Sequence, residues 1–502
     1  LSRLESLMHK CVADIVEKTG IDVRSQRNVI VFATTKGNIA DLTTEMPEND
    51  SRIYLYNMAM RVSQSLDFQT KPIVISNACI SGVSAVIAAQ RMIECGKYDN
   101  VVVVGGDEVT DFTTSGFLAF KSVSQSPCRP YDASRDGLSL GEAVAAILLT
   151  NNKMLSQGYH IAGGAMTNDA NHISGPSRTG EPLAEAIRTS MAEAGAKISD
   201  VAFVNAHGTA TLYNDEMESK AISLAGLSEK PINSLKPYFG HTLGASGVIE
   251  MVIGIEELRH HTLLGTLGYQ ELGTPMPLNV SAQNRPVEGT CFVKTASGFG
   301  GCNASVVVMA DEVDHAKNES VTDEVCTRKC HVINGVISVD GSDVFSSHSA
   351  DFSQFVREAY HAVESDAKYS IKFSKMSDLC RLGYVAMHHL LKGISYEPYD
   401  VAIVMANRSS SLEADLKHWR IFNEGEASPG AFVYTLPNIV LGEVAIRFGI
   451  KGETIFFVDN QVDTANEYAK MLLSKYPKTV VAWIEKSGDD YVFDATLYMK
   501  KQ

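Results

Sequence analysis

Four short stretches hold residue types suited to nucleophilic and acid–base chemistry. Cys79 lies in "SNACISG", between the apolar run "PIVI" and the helix-like run "VSAVIAAQRMIECG". A thiol where a helix begins meets unpaired N–H groups and partial positive charge, which favour the nucleophilic thiolate. Those N–H groups can also hold an oxyanion. Cys79 is therefore placed to attack a carbonyl, with a small core cysteine as the plain alternative. "VNAHGTATLYNDEMESKA" sets His207 just past a strand, in a loop with Thr209 and Thr211. "INSLKPYFGHTLGASGVIE" sets Lys236 and His241 in a glycine-punctuated loop feeding a helix, and "TASGFGGCNAS" sets Phe299 in a glycine-rich turn. Each has an ordinary structural reading alone: a satisfied histidine, a solvated lysine, a bare turn. "GFGG" is no phosphate loop, because no Lys-Ser/Thr follows it. Together and in this order, the four stretches argue against coincidence.

Positioning them falls to short β-branched runs alternating with helix-like runs: "NVIVFATT", "PIVIS", "NVVVVGGDE", "AVAAILLT", "VAFVNAHGTAT". Their nearly unbroken apolar character indicates a sheet buried on both faces, hence a layered α/β fold. The 502 residues suffice for two or more domains. Asp314 to Cys330 is polar, charged and aperiodic and reads as a linker; "HVINGVISVDGS" then starts a fresh strand and turn. The expected organisation is a catalytic unit at 1–313, a linker at 314–330 and a second unit at 331–502. That second unit reads as a diverged, partial copy of the first. In the tentative register "ETIFFVDNQVDTANEYAKMLL" lies on "KPIVISNACISGVSAVIAAQ", and Gln461 stands opposite Cys79. The copy has nothing like Arg129 to Asn303, and the first unit has no counterpart of "HVINGVISVDGS".

Composition is that of an ordinary globular protein, 45% hydrophobic and 21% charged. A net charge of -15 argues against charge-driven nucleic-acid or membrane-surface binding. Nine scattered cysteines form no disulfide framework, which suits a reducing cytoplasm. No apolar stretch is long enough to span a bilayer, and no signal core opens the chain. No metal is expected: zincin spacing is absent, and "CTRKCH" is a single cluster without a second half.

Over residues 1–310 these motifs resemble the β-ketoacyl synthase family of the thiolase superfamily, the elongating condensing enzymes of fatty-acid and polyketide synthesis. "NACISG" matches the nucleophile motif, "NAHGTAT" the first histidine motif, "SLKPYFGHTLGASG" the lysine-to-histidine motif and "SGFGGCNAS" the closing glycine-rich motif. The resemblance implies a thiolase-like αβαβα fold and a Cys79–His207–His241 trio, with Lys236 supporting His207. It also implies an oxyanion hole from the N–H groups of Cys79 and Phe299, Phe299 as gate to the acyl pocket, and Glu218 as partner of Lys236. Thr209 and Thr211 are expected to hold a phosphopantetheine arm delivered by an acyl carrier protein, with no tightly bound cofactor. The implied reaction joins an acyl group on Cys79 to malonyl-acyl-carrier protein, giving a 3-oxoacyl product. A thiolase-like acyl-CoA enzyme and a non-catalytic partner subunit are the alternatives.

Two departures from the family pattern stand out. The strand and helix with which members open are missing before Leu1. The second unit also lacks the nucleophile, both histidines, the lysine and the glycine-rich turn, so it is expected to be catalytically dead. Gln461 at the nucleophile position resembles chain-length factors. Family dimers pair through the strand preceding the nucleophile, so a homodimer, or a pseudo-heterodimer in which "ETIFFV" pairs with "KPIVIS", is expected.

Overall fold

The computed structural model describes residues 1–42, 51–310, 325–364 and 367–501. The unbroken apolar runs form strands buried on both faces: Asn28–Ala33, Ile73–Ile75 and Asn100–Asp107. Asn28–Ala33 pairs in parallel with both of the others, and Ala143–Thr150 closes the set antiparallel to Asn100–Asp107. The second half repeats this arrangement. Val401–Asn407 lies parallel between Thr454–Val458 and Lys478–Ser487, with Asp490–Lys500 antiparallel outside.

The two sets meet edge to edge. Ile73–Ile75 runs antiparallel to Thr454–Val458 with Ile75 opposite Phe457, making one eleven-stranded sheet. Backbone N–H of Ser76 donates to the Phe456 carbonyl at 3.1 Å, and Asn77 Nδ2 to the Thr454 carbonyl at 3.1 Å. This is the pairing of "KPIVIS" with "ETIFFV" that the family analogy suggested. Strand order and direction on either side of the junction are related by a pseudo-twofold. A buried ion pair crosses it, Arg91 to Glu453 at 2.6 Å, with Tyr468 donating to the same carboxylate at 2.8 Å.

A second sheet of six strands is drawn from the first half alone, in the order Tyr159–Asn168, Cys302–Ala310, Cys291–Gly298, Val201–Asn205, Pro231–Asn233, Asn279–Val280. Helices Ser81–Glu94 and Ser246–Arg259 are sandwiched between the sheets and touch both. Their approach requires glycine: a Cβ on Gly82 would stand 2.8 Å from the Gly244 carbonyl oxygen, and one on Gly247 2.5 Å from Val83 N. Arg3–Thr19 and Leu55–Ser65 cover the large sheet, while Glu181–Glu193 and Leu212–Leu224 cover the small one. The result is the five-layered αβαβα arrangement expected for a thiolase-like fold. Among the described residues, no helix is long and apolar enough to cross a membrane.

The expected linker needs correction at its far end. Its residues up to 324 lie outside the described residues, but Val325–Ile333 is a strand paired antiparallel with Asp490–Lys500. Only Cys330 and Val332 of that strand are buried. Mostly exposed side chains hide the period-2 signal, so "VCTRKC" reads as loop. By the pseudo-twofold, this strand corresponds to a position beside Ala143–Thr150 that no described residue of the first half fills.

Candidate active site

Cys79 sits in a strand–turn–helix elbow between Ile73–Ile75 and Ser81–Glu94. The turn is strained: Ala78 has φ 49°, a left-handed value that non-glycine residues rarely take. Ser81 holds it, accepting from the Asn77 N–H at 2.8 Å and donating to the Ala78 carbonyl at 2.6 Å. Two backbone N–H groups, of Cys79 itself and of Phe299, point at the sulfur. They are the donor pair an oxyanion hole needs.

The elbow does not make the thiol acidic, contrary to the reading from its helix position. Burial pushes Cys79 up to about 12, and the nearby Lys236 charge and the two N–H groups only partly offset it. Cys79 therefore rests as a thiol. Its alkylation by iodoacetamide, followed at the Cys79 peptide, should rise about tenfold per unit between about pH 7 and 9. A plateau below about pH 8 would instead mark an acidic thiolate.

His207 and His241 are brought together, with ring centroids 5.4 Å apart and planes at 87°. Burial, and then the Lys236 charge, hold both rings well below the ordinary histidine range, so both are neutral near pH 7. Lys236 Nζ donates to the His207 carbonyl at 2.5 Å and lies 3.4 Å from His207 Nδ1, which leaves the ring proton on Nε2. His241 Nδ1 is 3.1 Å from Ser246 Oγ.

Glu218 does not pair with Lys236. It accepts from the backbone N–H of His207 and Gly208, both at 2.8 Å, and from Tyr131 Oη at 2.7 Å and Thr295 Oγ1 at 2.6 Å. Its role is to fix the histidine loop. The partner of Lys236 is Glu250, at 2.9 Å, which also binds Lys294 at 2.5 Å. All three side chains are almost wholly buried. Glu250 was visible in the sequence, closing the stretch that holds Lys236 and His241. Its place on the helix Ser246–Arg259 aims it back at the lysine. Lys294, alone in the apolar strand "CFVKTASG", was the other available signal. Asp107 was missed too: it accepts from the N–H groups of Thr35, Lys36 and Gly244 and so ties the loops beneath the site.

Thr209 and Thr211 lie on the same loop with their hydroxyls 2.8 Å apart. Phe299 packs its ring on Phe117 and Phe120, at 6.1 and 5.3 Å. Its carbonyl accepts from Asn438 Nδ2 at 2.8 Å, a contact from the second half. Sequence reasoning placed no residue beyond 330 at the site, yet Phe432, Thr435 and Leu436 line a cavity that also touches Cys79, Phe299, Thr35 and Lys36. Gln461 occupies the matching elbow of the second half, before helix Asp463–Leu472, and is exposed.

Fold and site together define a condensing enzyme of the thiolase type. Residues 1–154 match the family description "Beta-ketoacyl synthase, N-terminal domain" and residues 159–270 "Beta-ketoacyl synthase, C-terminal domain". The chain belongs to the β-ketoacyl synthase family. It is 29% identical over 327 residues to a putative mitochondrial 3-oxoacyl-[acyl-carrier-protein] synthase of Schizosaccharomyces pombe, covering 57% of this chain and 76% of that one. It is 31% identical to a putative polyketide beta-ketoacyl synthase of Streptomyces halstedii, covering 51% of this chain and 64% of that protein. A third relative, 3-oxoacyl-[acyl-carrier-protein] synthase 2 of Mycobacterium leprae, is spanned over 58% of its length. Among solved structures, a ketosynthase in complex with its chain length factor from Xenorhabdus doucetiae superposes with TM-score 0.54 at 25% identity, over 62% of this chain and 82% of that one. A keto synthase–chain length factor structure, PfaC, superposes with TM-score 0.74 over 99% of this chain and 69% of that one. At 14% identity the second likeness is one of fold, and it extends through both halves.

Proposed function

We propose that this chain is an elongating 3-oxoacyl-acyl-carrier-protein synthase in which residues from Val325 onward serve as a built-in, inactive partner. The observation that carries this reading is a cysteine thiol beside two backbone N–H groups, with two neutral imidazoles 5.4 Å apart, one held by a buried lysine and the other by Ser246. An acyl group arrives on the phosphopantetheine arm of an acyl carrier protein, which Thr209 and Thr211 would hold. Cys79 attacks the thioester carbonyl, whose oxygen is received by the N–H groups of Cys79 and Phe299. The bond to the pantetheine sulfur breaks, and the Cys79 proton ends on that leaving thiol. Malonyl-acyl-carrier protein then enters. Loss of carbon dioxide leaves an enolate, stabilised at its thioester oxygen by His207 and His241 donating from Nε2. The enolate carbon attacks the acyl-Cys79 carbonyl, the C–S bond breaks, and Cys79 regains a proton.

The test uses the full chain with an acyl-phosphopantetheine thioester and malonyl-acyl-carrier protein. An acyl mass on the Cys79 peptide, with carbon dioxide and 3-oxoacyl product formed in equal amounts, is expected. Condensation of two acetyl-CoA molecules without a malonyl carrier would point to a thiolase. Absence of any Cys79 adduct would point to a non-catalytic subunit.

A further inference from the structure

Each carbonyl of the glycine-rich turn from Phe299 to Gly301 has a donor. The Gly300 carbonyl accepts from Asn168 Nδ2 at 3.0 Å and the Gly301 carbonyl from the Asp169 N–H at 2.7 Å, both within the first half. The Phe299 carbonyl accepts from Asn438 Nδ2 at 2.8 Å, across the junction. Cys302 Sγ, a weak donor, also lies 3.3 Å from it. Gly300 and Gly301 have φ of 91° and 69°, so the turn is made of residues with little backbone restraint of their own. Its shape has to be held from outside.

Asn438 makes its contact in place of two others. It is the N-cap residue of helix Ile439–Phe448, where an asparagine side chain ordinarily accepts from an N–H of the first turn. No such bond forms, because its backbone is already helical, with φ -67° and ψ -6°. Its Oδ1 is buried and has no partner among the described residues. Both features cost stability. The helix end is seated directly on the turn: a Cβ on Gly442 would stand 2.7 Å from the Gly300 carbonyl oxygen, and one on Gly300 2.7 Å from Asn438 Nδ2. Helix stability does not account for this asparagine; the grip of its amide on the turn does.

We propose that Asn438 is a positioning residue for acyl transfer, holding the Phe299 carbonyl so that the N–H of the same residue stays aimed at the oxygen of the thioester that Cys79 attacks. This deepens the reading of Cys79 as the acyl-carrying nucleophile and rests on it. The Phe299 N–H and carbonyl flank one α-carbon, with two soft dihedrals between them. Without the amide, the peptide after Phe299 is held chiefly at its other end, by the Gly300 N–H donating to the Ile173 carbonyl at 2.6 Å. Rotation about Phe299 then swings its own N–H off target. An oxyanion donor works only when it already points at the developing charge, so a small rotation is felt in rate rather than in substrate binding. His207 and His241 are held separately, by Lys236 and Ser246, so their action on malonyl does not depend on Asn438.

The experiment follows acyl mass on the Cys79 peptide against time in the full chain, with acetyl-phosphopantetheine thioester at several concentrations. Asn438→Ala should lower the acylation rate at saturation about thirtyfold and leave the half-saturating concentration within about twofold. Asn438→Leu, which refills the space without a donor, should be as slow. Carbon dioxide release from malonyl-acyl-carrier protein should agree within about twofold between Cys79→Ala and Cys79→Ala/Asn438→Ala, which also shows that the site stays folded. Acylation at the parent rate in either folded variant would overturn the proposal, since packing or nothing at all would then be the role of the side chain. Decarboxylation falling in step with acylation would overturn it too, as the mark of a general structural role. No adduct in the unmodified protein would overturn the function reading, and this proposal with it.

Discussion

Cys79→Ala is expected to abolish condensation while malonyl-acyl-carrier protein is still decarboxylated. His207→Ala or His241→Ala is expected to depress decarboxylation by about 10²–10³. The separation follows from the geometry. In the proposed reaction the sulfur carries the acyl group, whereas the enolate is stabilised by a different pair of groups, perpendicular rings 5.4 Å apart. Removing the sulfur leaves those donors in place. Removing either ring leaves a thioester oxygen with one donor in a buried site, where a missing hydrogen bond to developing charge costs most. The measurement is carbon dioxide release alongside 3-oxoacyl product. Loss of both signals in Cys79→Ala, in protein that still folds, would mean that the histidines do not act on malonyl independently of the thiol.

Glu250→Ala should be the most destabilising single change at the site, by about 3–5 kcal/mol. The carboxylate stands between Lys236 and Lys294, both fully buried, and its deletion leaves two ammonium groups facing each other without a counter-charge. Attraction to both lysines outweighs burial and keeps Glu250 below the ordinary carboxylate range. A group held low in this way stabilises the fold at neutral pH, and that stabilisation is lost as pH falls through its folded-state value. The check is the shift in urea midpoint of Glu250→Ala, measured beside the triple replacement Glu250→Leu/Lys236→Met/Lys294→Met. The triple variant should recover most of the stability and none of the activity, because an apolar trio of similar volume has no charge to desolvate. Equal midpoints for Glu250→Ala and the parent protein would show the lysines to be solvated after all.

The nucleophile elbow, the histidine loops and the glycine-rich turn were legible because each is local. Their residues lie within a few positions of one another, at the junction of a strand and a helix. Unbroken apolar runs likewise gave away the doubly covered sheet. What was not legible depends on distance through space. Glu218 was expected on Lys236 because it lies eleven residues beyond His207, where the family resemblance implies a glutamate, and a buried lysine needs a counter-charge. Tyr131 and Thr295, from remote segments, converge on it instead and leave the lysine to Glu250. Residues 325–330 of the strand Val325–Ile333 read as linker because an outlying strand with few buried side chains carries little apolar signal. Lys36 gave no hint at all. A lysine after "ATT" looks solvated, and its ion-pair partner in the interior, Asp415, lies 379 residues on.

The pseudo-twofold junction has a consequence for how such a protein can evolve. In a symmetric pair of identical chains, a change at the shared seam alters both reaction centres at once. Here the seam has two unlike faces, encoded separately, and a cysteine in one of the two matching elbows, Cys79, with Gln461 in the other. Second-half residues that line the cavity beside Cys79, such as Phe432 and Leu436, can vary without touching the code for Cys79 itself. Dilution cannot part the two faces either, since a covalent tether keeps each at high effective concentration for the other.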